Sequence, residues 1–292
     1  MEVKSYLDLN SEEKIKAREF IKENRNLKDD ETEKYLNSKL YSSGRGLLFL
    51  FESGEVKGTL GIILEFLPEK RTGLLHNPLA DTNEQLDLLI KKSFKVIDKV
   101  ASIDDLYLGI RDDLYSGVEG KEIKGMASEL GYEIDYSVYK MKLKDRDIKL
   151  KTLDKEILSE ENLEEYMDVY KKAFLDMPHG NYKTFDEVKD FLNEMDEERS
   201  GYIIRENGQA IGCLEIEIKE DNKGFFDIGL IKEARGKGYG KRILETAIET
   251  LNKKNAKEVC LIVIGNNKIA YDMYNKRGFE IYEKISDWYK IN

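Results

Sequence analysis

The stretch KEARGKGYGKR, residues 232–242, carries the strongest indication of fold and ligand in this 292-residue chain. Its glycines at 236, 238 and 240 alternate with other residues, and its five basic residues outnumber one acid, 5 − 1 = +4. Apolar residues at helical spacing follow it, from Ile243 to Leu251. Glycine permits a tight turn with exposed N–H groups, and a helix that begins directly afterwards directs its positive dipole end to the same place. The stretch therefore predicts a strand-to-helix turn that binds phosphate, since a solvated basic turn would not need three alternating glycines.

The common nucleotide-binding motifs do not fit this turn. A Walker loop requires Gly-Lys followed by Ser or Thr, whereas Gly240-Lys241 is followed by Arg242. A dinucleotide-binding turn requires G-x-G-x-x-G, and Gly236 and Gly238 begin that pattern, but residue 241 is lysine. A nucleotide-dependent kinase or dehydrogenase is therefore not indicated.

The turn resembles the R/Q-x-x-G-x-G/A motif of the GNAT superfamily of acyl-CoA N-acyltransferases, with Arg235, Gly238 and Gly240 at its fixed positions. The preceding residues 228–231 (IGLI) are similar to the family's fourth strand. About 30 residues downstream, a second stretch is similar to the family pattern N-x-x-A-x-x-x-Y-x-K-x-G-F, at Asn267, Ala270, Tyr274, Lys276, Gly278 and Phe279. The two motifs occur in the family's order, and the resemblance covers essentially the whole second half.

The resemblance implies acetyl-CoA as co-substrate and no metal. It assigns the diphosphate to main-chain N–H groups of the turn, and the pantetheine arm to a slot between the fourth and fifth strands. A bulge at Gly229 would open that slot, and the N–H of Leu230 would polarise the thioester carbonyl. Asn267 either caps its helix or contacts coenzyme A. The predicted coenzyme A-binding residues are Leu230, Arg235, Gly236, Lys237, Gly238, Tyr239, Gly240, Lys241 and Asn267.

One catalytic residue follows from the resemblance, and a second role stays open. Tyr274 matches the family's general acid, since a phenol can protonate the leaving thiolate. The alternative is a core aromatic on an amphipathic helix. The general base is left open among Asp227, Glu215, Glu217 and His179.

Two segments are predicted to line the acceptor pocket in the manner of the family. The loop MPHG, residues 177–180, contains His179, although a histidine in a loop is more often simply solvated. The segment DWY, residues 287–289, either forms a wall of the pocket, as the C-terminal hairpin of relatives does, or packs as part of that hairpin.

The chain also repeats itself. FESGEVKGTLGI at 51–62 and RENGQAIGCLEI at 205–216 share Glu, two Gly and Leu at an offset of 208 − 54 = 154. Each copy is typical of a hairpin that turns at Ser53-Gly54 or Asn207-Gly208. A helix stopped by glycine and followed by a strand recurs at Gly131 and Gly278. We therefore predict a mixed α/β fold (an α+β mixed sheet) in two tandem GNAT-like domains.

The first copy lacks the glycine turn. At the offset of 154, the three motif residues of the turn fall opposite Asp81, Glu84 and Leu86, and the two acids would repel a diphosphate. His76 in this half is predicted to be structural. We therefore predict a degenerate GNAT-like domain without a coenzyme A loop at 1–145 and a GNAT acetyltransferase domain at 146–292, joined near 144–147.

The composition is that of packed domains, with 40% hydrophobic and 36% charged residues. The net charge of −10 argues against nucleic-acid binding. No apolar stretch approaches the roughly 20 residues of a membrane span. The N-terminus shows no basic patch followed by an apolar run, so we expect no membrane association and a cytoplasmic protein. Cys213 and Cys260 are predicted to be reduced core thiols, and a zinc site is not indicated.

These patterns predict an N-acetyltransferase that transfers an acetyl group from acetyl-CoA to a primary amine of a small molecule or peptide. The alternative is a non-catalytic acyl-CoA-binding sensor or scaffold, and the presence of Tyr274 favours the enzyme. The expected partners are acetyl-CoA and an amine, and the sequence gives no indication of an oligomeric state.

Overall fold

The computed structural model describes residues 1–112, 118–145, 149–177, 179–219 and 221–291, without the side chains of residues 118 and 119. The strands are β1 (Glu2–Ser5), β2 (Leu47–Glu52), β3 (Glu55–Ile63), β4 (Thr72–Ala80), β5 (Asp105–Arg111), β6 (Glu133–Leu143), β7 (Asp154–Ile157), β8 (Arg199–Glu206), β9 (Gln209–Ile218), β10 (Lys223–Leu230), β11 (Glu258–Ile264) and β12 (Phe279–Ile291). The helices are α1 (Ser11–Arg25), α2 (Asp29–Leu36), α3 (Leu67–Lys70), α4 (Asn83–Ile97), α5 (Val118–Glu129), α6 (Leu163–Phe174), α7 (Phe185–Asn193), α8 (Tyr239–Lys253) and α9 (Lys268–Lys276).

The chain forms two compact units: residues 1–137 together with the C-terminal residues from Ile285, and residues 138–284. These units differ from the predicted division at 145/146, because β6 and β12 each contribute residues to both. Residues 146 and 147 of the predicted junction lie outside the described residues. The division at 145/146 therefore stays a prediction about the repeat.

In the first unit, a mixed sheet has helices on both faces. Its strands follow the order β1-β2-β3-β4-β5 and then the end of β12, with β4 and β5 parallel and the other pairs antiparallel. Leu47 and Phe49 of β2 pack with α1 and α2, whereas Leu48 and Leu50 pack with α4. This alternation explains why β2 is a nearly continuous apolar run, since both faces of the strand are buried.

The second unit has the same layers. Five of its described strand pairs follow the order β6-β11-β10-β9-β8-β7; of these five, β10 and β11 are parallel and the others are antiparallel. Helices α6 and α7 cover one face of the sheet, and α8 and α9 cover the other. The apolar stripe from Ile243 to Leu251 is the buried side of α8. The predicted mixed α/β fold is thus confirmed.

The turns that mark the repeat are confirmed as well. Ser53 and Gly54 have φ of 51° and 81°, and Asn207 and Gly208 have φ of 51° and 79°. Two successive positive φ values are typical of the type I′ turns that close two-residue hairpins. Cys213 and Cys260 are buried and free, as expected.

The alternating stretch IKLKTL at 148–153 also predicts a strand at the start of the second half, and this prediction is wrong. Residues 149–153 are not part of a strand, and the strand that follows is β7, at the edge of the sheet beside β8. The backbone N–H of Leu153 donates to the Thr246 hydroxyl of α8 at 2.9 Å. Because Leu153 is buried in the core beneath α8, its apolar character reflects packing and not strand pairing. Ile148 lies outside the described residues.

Candidate active site

A slot opens in the sheet of the second unit between β10 and β11. The two strands pair over Lys223–Phe225 and Glu258–Cys260, and within the described residues their pairing goes no further. Beyond Cys260, β11 stays paired with β6 on its other side. Among the described strands, the remaining half of β10 therefore pairs only with β9.

The backbone of β10 presents N–H groups to this slot that no described strand pairs. The N–H of Ile231, just after the strand, donates to the carbonyl of Ile211 at 3.0 Å, which marks a hydrogen-bonded pair of the antiparallel ladder. Such pairs recur at every second residue, so the intervening residues direct their N–H and C=O groups to the opposite side. Ile228 and Leu230 are intervening residues. Their N–H groups thus face the slot.

The bulge predicted at Gly229 is absent from the pairing of β10 with β9. The pairing of β10 with β9 is continuous through Gly229, so no bulge occurs there. A β-carbon at Gly229 would lie 2.8 Å from the Ala173 β-carbon and about 3 Å from the Phe174 ring of α6. Glycine is required because α6 packs directly on the strand, and this is the physical reason that the sequence pattern alone did not supply.

The glycine turn lies at the same end of β10 and is open. Gly236 and Gly238 have φ of 74° and 83°, and a β-carbon at either position would meet no atom within 4 Å. Gly238 is the N-cap of α8, so no side chain caps that helix. The first-turn N–H groups of a helix have no intrahelical partner. The turn therefore presents backbone donors and a positive helix end, beside the exposed Lys237 and Lys241.

At the corresponding strand-to-helix junction of the first unit, side chains of the junction itself accept the backbone N–H groups. Strand β4 leads into α4 through Asp81 and Thr82. The Thr82 hydroxyl accepts the N–H of Gln85 at 3.3 Å, and the Gln85 side-chain oxygen accepts the N–H of Asp81 at 2.8 Å. Because these donors are satisfied internally, this helix end lacks the features of a phosphate site.

The other residues of the predicted coenzyme A-binding set make contacts within the protein. Tyr239 packs against the core below α8, and a β-carbon at Gly240 would lie 3.2 Å from the Met273 sulfur of α9. The Asn267 side chain accepts the N–H of Ala270 at 3.3 Å, so of the two predicted roles the structure shows the helix cap. The Arg235 guanidinium points away from the turn and pairs with Asp176.

Tyr274 of α9 is 8% exposed and packs in the core against Phe279. Its hydroxyl forms no hydrogen bond within the described residues, yet it is not one of the fully buried unpaired atoms, so it keeps contact with solvent. Burial raises the pKa of Tyr274, and the charge of Asp227 raises it further. The phenol is therefore protonated at neutral pH and can act only as a proton donor.

The structure separates the candidate bases. Glu215 is 16% exposed in its side chain and is occupied, because it accepts the Tyr166 hydroxyl at 2.5 Å and pairs with Lys183. Asp227 lies directly opposite Glu215 in the ladder, is exposed, and has no such partner in the described part of the chain. Desolvation, followed by the charge of Glu215, raises the pKa of Asp227 to about 6. A pKa near 6 suits a base near neutral pH.

The other two candidate bases are Glu217 and His179. Glu217 is 54% exposed in its side chain and lies 3.8 Å from Lys219. His179 has a φ of 52°, and its neighbour Pro178 lies outside the described residues. A cavity of about 480 Å³ opens between α6 and α7 beside Lys183, and none of the predicted coenzyme A residues lines it.

The segment 287–289 does not form a hairpin, because β12 is one continuous strand, and the segment belongs to the first unit. Trp288 stacks on His76 at 6.1 Å between ring centroids and covers Gly109. The His76 ring also contacts the Tyr41 hydroxyl at 3.0 Å, which fits its predicted structural role. The segment therefore packs in the first unit's core.

A splayed strand pair, an uncapped helix N-terminus at its end and a tyrosine on the next helix are features of an acyl-CoA-dependent N-acyltransferase. Residues 158–279 match the model of the family described as "Acetyltransferase (GNAT) family". The matched stretch contains both sequence motifs, in agreement with the resemblance that they indicated.

Relatives support the same class. An uncharacterized N-acetyltransferase of Methanocaldococcus jannaschii is 24% identical over 151 residues, which cover 49% of this chain and 67% of the relative. A GCN5-related N-acetyltransferase structure from Anabaena variabilis has a TM-score of 0.61 at 12% identity and covers 99% of this chain and 72% of its own. Another, from Sphaerobacter thermophilus, has a TM-score of 0.55 at 12% identity, with 90% and 85% covered. At these identities the solved structures establish the fold alone.

Two further findings concern the described residues. No helix among them is long and apolar enough to cross a membrane. They also contain no group of three or more His, Cys, Asp or Glu side chains arranged to hold a metal ion.

Proposed function

We propose that the second unit transfers an acetyl group from acetyl-CoA to a primary amine of a small molecule or peptide. The observation that carries this proposal is the open, uncapped start of α8 at the end of the slot beside β10. A ligand with a diphosphate joined to an amide-bearing arm fits both features, since one binds anions and the other can pair with an added strand.

Different groups of the chain bind different parts of acetyl-CoA. Backbone N–H groups from Gly238 to Lys241 hold the diphosphate, and the exposed lysines of the turn add positive charge. Ile228 offers its N–H and C=O groups to the pantetheine amides. The N–H of Leu230 is then the donor nearest the end of the slot, where it can polarise a carbonyl.

Two side chains are assigned to proton transfer. Acetyl-CoA, when bound, supplies an acyl group activated as a thioester. Asp227 accepts the proton that the acceptor ammonium must lose before its nitrogen can form the amide bond. Tyr274 donates its proton to the sulfur as the carbon–sulfur bond breaks, and the second proton, which the nitrogen loses as the amide forms, returns the phenolate to its neutral form. The proton on Asp227 leaves to solvent, to which this residue is exposed.

The test uses Tyr274→Phe, with Tyr271→Phe on the same helix as the matched control. Thiol release from acetyl-CoA is measured with a panel of monoamines, diamines and peptide N-termini. We expect kcat to fall by about 10²–10⁴-fold in Tyr274→Phe, with the affinity for coenzyme A nearly unchanged. Tight binding of coenzyme A without thiol release from any amine would instead support the sensor or scaffold alternative.

A further inference from the structure

The Arg235 side chain joins the glycine turn to the C-terminal end of α6. Its Nε donates to the carbonyl of Leu230 at 3.0 Å, and its Nη2 donates to the carbonyl of Ala173 at 3.0 Å. Both terminal nitrogens also contact Asp176, at 2.6 and 2.8 Å. We call these four contacts the Arg235 clamp. A two-pronged guanidinium–carboxylate pair fixes orientation as well as distance.

The clamp holds the part of α6 that lies over the slot. Ala173 and Phe174 are the residues that pack on Gly229 of β10. The Phe174 ring lies 4.6 Å from the ring of Tyr170, which is itself hydrogen-bonded to Asn181 in the following loop at 3.1 Å. A shift of the α6 end would therefore move the aromatic wall beside the strand whose N–H groups line the slot.

In the first unit, an arginine also connects the first helix to the fourth strand, but this arginine belongs to the helix. There Arg25, the last residue of α1, donates its Nη2 to the carbonyl of Asn77 in β4 at 2.5 Å. At the repeat offset of 154 residues, Asp81 is the residue of the first unit that corresponds to Arg235. Both units thus connect their first helix to their fourth strand through an arginine, and in the second unit that arginine belongs to the glycine turn.

We propose that the Arg235 clamp couples coenzyme A binding at the glycine turn to the position of the α6 end on the acceptor side. The inference rests on the proposed function, because it requires that the turn binds the diphosphate. A ligand that fixes the backbone from Arg235 to Gly240 also fixes the direction of the Arg235 side chain, and with it Ala173 and Asp176. Arg235 and Asp176 are then positioning residues, and linkage makes the coupling reciprocal between the coenzyme and the acceptor.

The test is hydrogen–deuterium exchange of the full chain with and without coenzyme A. In the wild type, we expect coenzyme A to slow exchange in two segments, 235–241 and 173–177. In Asp176→Asn, the first segment stays protected, while the protection of the second falls by about tenfold, the equivalent of one charge-assisted hydrogen bond. Asp176→Glu restores part of this protection, because it keeps the carboxylate.

The matched control is Asp168→Asn, which removes an exposed ion pair with Lys172 on the same helix and leaves both responses as in the wild type. Equal protection of 173–177 in Asp176→Asn and the wild type would overturn the coupling and leave the proposed function standing. Absence of protection at 235–241 in the wild type would overturn both. Asp176 is 49% exposed in its side chain, so the variant is expected to fold, and its melting temperature checks this.

Discussion

Gly238→Asp tests the glycine turn most directly, because the structure separates its effect on folding from its effect on binding. Gly238 has a φ of 83°, which costs a non-glycine residue about 1–2 kcal/mol. No atom lies within 4 Å of the added β-carbon, so no clash occurs. A carboxylate at the start of α8 returns about 0.3–1 kcal/mol through the helix dipole. The net loss of stability is thus small, and the variant should fold.

The effect on binding is much larger. A carboxylate about 5 Å from a diphosphate charge interacts unfavourably by about 332/(20 × 5) ≈ 3 kcal/mol at an effective dielectric of about 20. This corresponds to an affinity for coenzyme A lowered by about 100-fold, and the loss should shrink at high salt because the site is open to solvent. Titration calorimetry with coenzyme A measures both effects.

The matched control for that experiment is Gly131→Asp. Gly131 has a φ of 85° and equally open surroundings, but it lies in the first unit, between α5 and β6. It carries the same backbone strain and the same new charge, and its affinity for coenzyme A should match the wild type. If Gly238→Asp binds coenzyme A as tightly as Gly131→Asp does, the diphosphate is not held by this turn.

Two further variants follow from the site. The pKa of Asp227 is raised to about 6, so kcat/KM should rise with pH through this value, and Asp227→Asn should remove that dependence. Ionising Asp227 costs stability above its ordinary pKa of 3.8, because its pKa in the folded protein is raised. Asp227→Asn should therefore raise the melting temperature at neutral pH and leave it unchanged well below pH 3.8. An equal change in melting temperature at both pH values would contradict the argument that burial raises this pKa. Lys183→Met leaves the Glu215 carboxylate with Tyr166 as its remaining hydrogen-bond partner, and it should lower the free energy of unfolding by about 1–3 kcal/mol in urea denaturation. An unchanged urea midpoint would show that Glu215 does not depend on Lys183.

The glycine turn could be predicted from the sequence because its properties are local. Backbone freedom at Gly236 and Gly238 and the helix that begins at Tyr239 are both set by neighbouring residues. The type I′ hairpin turns were predictable for the same reason. Tyr274 was predicted from its position in a motif, but its electrostatic interaction with Asp227 was not, because that depends on two elements meeting across the slot.

The contacts of Arg235 could not be predicted in this way. The sequence marks Arg235 as part of a coenzyme A motif, whereas its ion-pair partner Asp176 is 59 residues away and carries no motif of its own. Gly229 illustrates the same difficulty, since a glycine within a strand is compatible with a bulge or with a tightly packed helix. Only the packing of α6 distinguishes these.

The C-terminal strand has a consequence for any attempt to study the halves separately. Residues 286–291 of β12 pair with residues 106–111 of β5, and Trp288 and Tyr289 are buried within the first unit. A fragment that ends at residue 145 would therefore leave β5 as a bare edge with its apolar neighbours uncovered, a surface that favours aggregation. The first unit is completed only by a segment that follows the whole second unit in the chain, so its folding cannot finish before that segment has been synthesised.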